Sequence, residues 1–317
     1  MKKSDKPLPQ HINDYLDWID VEKGLSSKTQ ENYSRFLGRF FDWLSNNNLS
    51  NIKPHELTSK HVWDYRIYLA RKTTSKNSSE TLSKSTQTSY LIALRSLLAY
   101  FASRDIQAMP PEKIELPKDK GDTEVQFLDL EQLKRLFAVP DVSRLKGLRD
   151  RAILEVLFST GMRVSELVNL NRDQVDSFLD GDYLELGIVG KGGRARTVYF
   201  SPRTLEWLKK YLDMRGEDDA EALFVNLRKR SDASRRLTVR SIENIVKKSA
   251  LKAGLPSNTT PHVLRHSFAT NLLSKGVDMR TVQEFLGHKS ITATQIYTHV
   301  TNKKLKDVHK KFHGGLE

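Results

Sequence analysis

Residues 108–126 interrupt the hydrophobic periodicity of the chain and separate two parts of different character. This stretch contains three prolines: Pro110, Pro111 and Pro117. Proline lacks the backbone N–H that a helix needs and clashes with the preceding turn, so no helix continues through the stretch. We therefore predict a linker over residues 108–126, with a first domain at 1–107 and a second domain at 127–317.

Residues 1–107 show only helical patterns. Apolar residues recur every three or four positions, which is typical of amphipathic helices. The predicted helices cover about 8–23, about 27–46, a segment that begins after Thr58, and about 85–103. Ser27 and Gln30 have the spacing of a capping box, and the polar residues 72–84 predict an exposed loop. Four such helices predict a small bundle.

The second domain is predicted to be mostly helical with one small sheet. A helical series begins at Asp129, and further helices begin at about residues 202 and 239. The alternation of side chains over residues 183–200 is interrupted by glycines around Lys191, which predicts a β-hairpin with that lysine at its tip. The fold class is therefore mainly α, with a small antiparallel β-sheet.

Charge and cysteine content narrow the function. The 317 residues carry a net charge of +13 with an isoelectric point near 9.6, and both domains share the surplus. Nucleic acid is the leading partner for such a surface, and an anionic membrane surface is the rival. The chain has no cysteine, which excludes disulfides, thiol catalysis and cysteine-bound zinc. The first ten residues lack the apolar core of a secretory signal, so a cytoplasmic protein is expected.

Two short segments carry residues suited to phosphate chemistry. Gly161 can end a helix in a left-handed conformation, and Arg163 and Glu166 then share a face of the next helix. Alone, this pair fits a surface salt bridge at a helix corner. Lys191, between Gly190 and Gly192, can reach into a groove, although most such lysines are solvated. No Walker phosphate-binding motif is present.

Two further segments lie near the C-terminal end. Pro261 suits the first turn of a helix that carries His262 and Arg265 on one face. His262 and His266 have the spacing of a zinc pair, but the glutamate of the zincin motif is absent, so His266 is predicted to be structural. The last segment contains His288 and Tyr297, and Tyr297 alone is one of ten tyrosines.

Taken together, these segments resemble the tyrosine recombinase family over nearly the whole chain. The stretches T-G-M-R-V-S-E-L, H-V-L-R-H-S-F-A-T and L-G-H-K-S-I-T-A-T-Q-I-Y-T-H, at 160–167, 262–270 and 286–299, are similar to its Xer-type branch. Residues 1–107 resemble the four-helix, SAM-like core-binding domain of this family, and residues 127–317 resemble its catalytic domain. The resemblance implies a C-shaped clamp around DNA.

The resemblance also implies a site in which six residues act on one DNA phosphate. Tyr297 would be the nucleophile, Arg163 and Arg265 would stabilise the non-bridging oxygens, and Glu166 would orient these groups. Lys191 would protonate the leaving 5′ oxygen, His262 would assist proton transfer near the tyrosine, and His288 would hydrogen-bond the phosphate. No metal, ATP or other cofactor is implied.

The implied partner is double-stranded DNA with two inverted binding sites. A tetramer of this chain, or of this chain with a paralogue, would act on it, with an activating DNA translocase as a further partner, in the nucleoid and without a membrane. The C-terminal residues Leu305, Val308 and Phe312 predict an amphipathic helix that docks into a neighbouring protomer or packs on its own domain. The DNA-contacting candidates are Ser26, Lys28, Arg35, Arg39, Ser85, Thr86, Gln87, Arg95 and Arg240.

The implied reaction is site-specific recombination through a 3′-phosphotyrosine and a Holliday junction. The predicted role is resolution of chromosome or plasmid multimers, and the alternative within the family is a phage or mobile-element integrase. The first helix starts within about ten residues of Met1, which leaves no room for an arm-binding domain and favours the Xer type. A type IB topoisomerase and a catalytically silent DNA-binding protein are the remaining alternatives.

Overall fold

The computed structural model describes residues 1–71, 81–117, 126–176, 178–179, 181–190, 193, 195–227 and 235–287. The chain divides into two compact units, Met1–Asp122 and Thr123–Glu317. In the described part of the chain, no helix is both long enough and apolar enough to cross a membrane.

The first unit is built from four α-helices, as predicted. Their bounds are α1 (Ile12–Val21), α2 (Ser27–Asn46), α3 (Ser59–Arg71) and α4 (Lys84–Ser103). Short 3-10 turns lie at Leu8–His11, Pro54–Glu56 and Pro111–Lys113. The helices bury the apolar faces that the periodicity indicated, so the predicted bundle is confirmed.

Serines stand at the N-caps of two of these helices. The N-cap residue of α2 is Ser26, and the Gln30 side chain donates to Asp20 and to the Leu25 carbonyl, so the predicted Ser27–Gln30 capping box is wrong. The N-cap of α4 is Ser83, whose hydroxyl accepts the Thr86 N–H. Ser83 thus caps its helix with its hydroxyl, whereas Ser26 makes no side-chain cap hydrogen bond, a difference that the sequence does not reveal.

The core of the first unit is rich in aromatic side chains. The Phe40 ring lies 4.8 Å from the Tyr65 ring and 5.9 Å from the Trp43 ring, measured between centroids. The Tyr15 hydroxyl donates to Ser96 at 2.9 Å. Met109 and Ile114 are also buried in this core, although they come from the proline-containing stretch. The beginning of the predicted linker therefore packs as part of the first unit.

The second unit contains eight described helices and one pair of strands. The helices are α5 (Leu130–Ala138), α6 (Leu145–Thr160), α7 (Val164–Val168), α8 (Asp173–Asp176), α9 (Pro202–Arg215), α10 (Val239–Lys252), α11 (Pro261–Ser274) and α12 (Met279–Leu286). The strands are β1 (Leu184–Val189) and β2 (Ala195–Phe200). The mainly helical fold class with a small sheet is confirmed.

The two strands pair antiparallel in the predicted hairpin. The register runs from Leu184 opposite Phe200 to Val189 opposite Ala195. Strand β2 packs against the buried helix α6 and against α12. The hairpin therefore carries its inner side chains to the helix ends where the candidate site residues lie.

Candidate active site

A left-handed turn at the end of α6 begins the candidate site. Gly161 has φ +57°, as the sequence predicted. A Cβ atom at this position would lie 2.4 Å from the Phe268 ring, so a larger residue would meet both strain and a collision. The sharp turn places Arg163 directly at the N-cap of α7, soon after α6 ends.

The buried side chain of Arg265 holds three chain segments together. It projects from α11 and donates from Nη1 to the Gly161 carbonyl at 2.6 Å and from Nη2 to the Leu286 carbonyl. These carbonyls belong to the ends of α6 and α12. Because the guanidinium is planar and its nitrogens are fixed relative to one another, these contacts set its orientation. The structure therefore ties Arg265 to the turn that ends two residues before Arg163.

Glu166 lies beneath the turn and is only 5% exposed at its side chain. Its carboxylate accepts the Arg163 N–H at 2.7 Å and the Arg163 Nη1 at 3.1 Å. Burial alone would raise the pKa of this carboxyl, but hydrogen bonds from Arg196 and from the Arg163 N–H outweigh burial and lower the pKa. Glu166 is therefore an anion that fixes the start of α7.

Arg196 is a member of this network that the sequence reasoning missed. It donates from Nη1 and Nη2 to the two oxygens of Glu166 at 2.8 and 2.7 Å, and from Nε to the Phe285 carbonyl at 3.2 Å. The signal was the alternation in β2, where Arg196 shares a face with the buried Val198 and Phe200. A cation on the inner face of a strand requires a buried partner.

The two histidines of α11 face the same positive charges. The ring of His262 reaches solvent, yet its pKa is lowered by partial burial and then by the charges of Arg265 and Arg163. The pKa of His266 is lowered to about 4 by burial, and by His262 and Arg265 in addition. Both imidazoles are therefore neutral near pH 7, and His262 can accept a proton there.

Three of the predicted site residues, Lys191, His288 and Tyr297, lie outside the described residues, and so does the predicted C-terminal helix. Within the described residues, no group of three or more histidine, aspartate or glutamate side chains is arranged to hold a metal ion. The part of the site that the structure describes thus contains two cations, Arg163 and Arg265, and the neutral imidazole of His262.

The DNA-contacting candidates of the first unit are only partly brought together. Arg35, Arg39 and Thr86 line one groove between α2 and α4, where the Arg39 guanidinium lies 5.0 Å from the centre of the Tyr90 ring. Asp42 also lines the groove, so the two arginines leave one net positive charge beside the Thr86 hydroxyl, which suits a sugar–phosphate backbone.

The other candidates do not line this groove. Ser26 is exposed at the N-cap of α2, and Ser85 and Arg95 are exposed elsewhere on α4. Lys28 pairs with Glu31 at 2.5 Å, and the Gln87 amide donates to the Leu82 carbonyl at 2.7 Å. In the second unit, Arg240 is exposed near Glu243, at 3.5 Å.

Comparisons with known proteins agree with this architecture. The phage integrase family model matches residues 126–304, and the model of the phage integrase N-terminal SAM-like domain matches residues 12–108. Tyrosine recombinase XerD of Lacticaseibacillus casei is 34% identical over 308 residues, which cover 95% of this chain and 98% of that protein.

Solved structures show the same fold. The XerH site-specific recombinase bound to palindromic difH substrate, in a post-cleavage complex, matches with a TM-score of 0.71 at 23% identity and covers 98% of each chain. A lambda integrase tetramer bound to a Holliday junction matches with a TM-score of 0.65 at 17% identity, covering 90% of this chain and 78% of that one. The family models, the relative and the fold together show that this chain belongs to the tyrosine recombinase family of site-specific recombinases, in its Xer-type branch.

Proposed function

We propose that this recombinase cuts and rejoins DNA through a 3′-phosphotyrosine formed by Tyr297. The observation that carries the proposal is that Arg265 is bonded to the Gly161 turn, which Arg163 directly follows, with His262 close enough for both charges to lower its pKa. This arrangement concentrates positive charge at one point of the second unit, where a phosphate would bind.

The two arginines suit the transition state of phosphoryl transfer. Attack on a DNA phosphate adds negative charge to its non-bridging oxygens, and guanidiniums stay charged at any working pH. Preorganised donors of this kind stabilise a transition state more than a solvated ground state, because they need no reorganisation during the reaction. The contacts of Arg265 to two carbonyls and the cap at Arg163 supply that preorganisation.

Proton transfer is the second requirement, and we assign it to three residues. A tyrosine hydroxyl has an ordinary pKa of about 10 and must lose its proton as it attacks. His262, which is neutral at pH 7, can accept that proton. Lys191 would protonate the leaving 5′ oxygen, and His288 would hydrogen-bond the phosphate. Glu166 orients Arg163 and takes no proton itself.

We propose that residues 1–107 bind the core DNA site and that residues 127–317 catalyse, both on the same double-stranded DNA. The net charge of +13 supports a DNA partner. The XerH structure contains a palindromic substrate and the lambda integrase structure is a tetramer on a Holliday junction. We therefore infer two inverted binding sites and a tetramer, formed by this chain alone or with a paralogue, whose C-terminal helices couple the protomers.

The proposed biological role is resolution of chromosome or plasmid multimers. The XerD relative matches this chain over nearly its whole length, which favours that role over phage or transposon integration. An enzyme with this role acts on the nucleoid in the cytoplasm, where a DNA translocase would activate it. A recombination site on a chromosome or plasmid outside any mobile element would support the role, and a site at the end of a mobile element would overturn it.

The decisive experiment traps the covalent intermediate. The Tyr297→Phe variant, which we expect to bind DNA but not to cut it, first selects binding sites from a pool of random duplexes. A nicked duplex of the selected sequence then loses a short fragment after cleavage, so the wild-type protein stays attached to a 3′ phosphate. Trapping by Tyr297→Phe would overturn the assignment of the nucleophile, and failure of the wild type to trap would overturn the proposed reaction.

A further inference from the structure

Three charged side chains meet at the base of the candidate site, and their burial differs. The side chains of Glu166 and Arg196 are 5% and 9% exposed, whereas the side chain of Arg163 is 27% exposed. One carboxylate therefore lies between two guanidiniums, of which only the Arg163 guanidinium reaches the surface where a phosphate would bind.

The Glu166 carboxylate makes different contacts with the guanidiniums of Arg196 and Arg163. Arg196 takes both Glu166 oxygens in a two-pronged contact at 2.8 and 2.7 Å. The Arg163 guanidinium has a single, longer contact of 3.1 Å. Among the described residues, no acceptor contacts Nε or Nη2 of Arg163. The strong pair is therefore Arg196 with Glu166, because a planar guanidinium matches both oxygens of a carboxylate.

This inequality matters because one carboxylate neutralises only one positive charge. A Glu166 anion without Arg196 would pair with the remaining guanidinium, at Arg163, and would compete with a DNA phosphate for its donors. Arg196 is anchored against such a rearrangement by its Nε contact to the Phe285 carbonyl. The Arg196 guanidinium is thus held by two partners, the Glu166 carboxylate and the Phe285 carbonyl.

We propose that Arg196 is a positioning residue that occupies Glu166 and thereby keeps the Arg163 guanidinium available to the scissile phosphate. This inference rests on the proposed function, because it takes Arg163 as a phosphate-binding group. Glu166 then orients Arg163 by accepting the Arg163 backbone N–H and one contact from its guanidinium, while Arg196 neutralises most of the negative charge of Glu166.

The inference predicts an unusual relation between two substitutions. Arg196→Met should slow cleavage of the nicked duplex on the order of a hundredfold, the usual effect of losing one preorganised donor. Adding Glu166→Gln to Arg196→Met should recover at least about tenfold of that loss, because the competing charge is gone. A merely structural role for Arg196 predicts no such recovery once each rate is divided by the folded fraction of that variant, since a second member of the same network has been removed.

Two variants guard against misfolding. Arg196→Lys keeps the charge and one contact, so its cleavage rate should lie between those of the wild type and Arg196→Met. The double variant buries no carboxylate that has lost its two-contact partner, so it should melt at a higher temperature than Arg196→Met. If the double variant melts like the wild type and still cleaves no faster than Arg196→Met, the inference is wrong.

A binding measurement separates this inference from the proposed reaction. In a Tyr297→Phe background, the affinity for a native duplex is compared with that for duplexes carrying one neutral methylphosphonate, placed in turn at each central position. The preference for the charged phosphate should shrink with Arg196→Met and return when Glu166→Gln is added. If this pattern is seen but the wild type forms no covalent complex, the proposed reaction of Tyr297 is wrong and the inference about Arg196 stands. If the wild type forms the covalent complex but Arg196→Met leaves the preference for the charged phosphate unchanged, the inference about Arg196 is wrong and the proposed reaction stands.

Discussion

Among the described residues, the unit Met1–Asp122 fills its core with aromatic and aliphatic side chains, whereas the unit Thr123–Glu317 also buries charged ones. The buried polar or charged residue of the first unit is His11. The buried charged residues of the second unit are Arg149, Glu155, Glu166, Arg215 and Arg265. Buried charges cost free energy unless they are paired, so the second unit is organised around polar contacts that the first does not need.

Burial of a charge does not by itself mark a functional site in this protein. Arg149 pairs with Asp150, and Arg215 pairs with Asp218, each a near neighbour in the chain. These two arginines also donate to backbone carbonyls, but Arg265 donates to the carbonyls that end two helices, beside the partly exposed Arg163. What distinguishes the site is a set of cations that meet at helix ends beneath an accessible surface.

The largest expected effect tests the apolar side of the comparison. Phe40 is 1% exposed and its ring contacts Tyr65, so Phe40→Ala should lower the free energy of unfolding of the first unit by about 3–5 kcal/mol. Three of the four tryptophans lie in this unit, so urea unfolding followed by tryptophan fluorescence reports on it. Val21→Ala, at a side chain that is 82% exposed, is the control and should change little.

The second prediction separates the two kinds of buried arginine in the second unit. Arg265→Lys keeps the charge but loses the planar contacts to both carbonyls, so cleavage of the nicked duplex should slow by roughly a hundredfold to a thousandfold. Arg149→Met should instead lower the free energy of unfolding by about 3 kcal/mol, because it leaves Asp150 without its partner.

For Arg149→Met, the cleavage rate below the melting temperature should stay near that of the wild type. Equal losses of rate in both variants would mean that any buried arginine of this unit supports cleavage, and the distinction between site and scaffold would fail. The rates are measured in single turnover, with the folded fraction taken from thermal melts.

The sequence predicted the apolar side of this comparison better than the polar side. Helix periodicity located the buried faces of the first unit, and Gly161 and Pro261 marked the end of α6 and the start of α11. These features are local, because turn geometry and periodicity depend on neighbouring residues. The family resemblance then selected Arg163 and Arg265 from the many arginines.

Long-range pairings were not predictable in the same way. Arg196 meets Glu166 across 30 positions of sequence, and this pairing depends on where the fold places β2 relative to α7. Met109 and Ile114 are buried although the prolines around them suggested a linker, because the chain folds back onto the bundle after α4. The sequence pattern of a segment does not say which distant segment it will contact, so such contacts depend on the tertiary structure.

The third prediction concerns one histidine in each unit whose pKa is lowered by burial. The pKa of His266 is lowered from 6.5 to about 4 in the folded protein. Between pH 6.5 and pH 4, His266 binds a proton in the unfolded chain but not in the folded chain. The free energy of unfolding therefore decreases as the pH falls from 6.5 towards 4. Because the ring is partly solvated, we expect a loss of about 1–2 kcal/mol.

His266→Gln should remove this part of the pH dependence from the second unit alone. His11 offers the matched test in the first unit, since burial also lowers its pKa. Native-state hydrogen exchange at about pH 7 and about pH 4.5 resolves the two units. If His266→Gln and His11→Gln changed the pH dependence of both units equally, the units would not unfold as separate bodies.

The smallest expected effect tests whether the first unit, which buries so little charge, uses its surface charge for DNA. Arg39 lines the groove with Arg35 and Thr86, and its guanidinium is ordered against Tyr90. Arg39→Gln should weaken binding of the selected duplex by about 1 kcal/mol and reduce the salt dependence of affinity by about one phosphate contact. Arg104→Gln removes the same charge from the end of α4, where Arg104 pairs with Glu22 at 2.7 Å, and should leave both quantities unchanged. Equal losses for the two variants would show that net charge, and not the groove between α2 and α4, accounts for the contribution of this unit to binding.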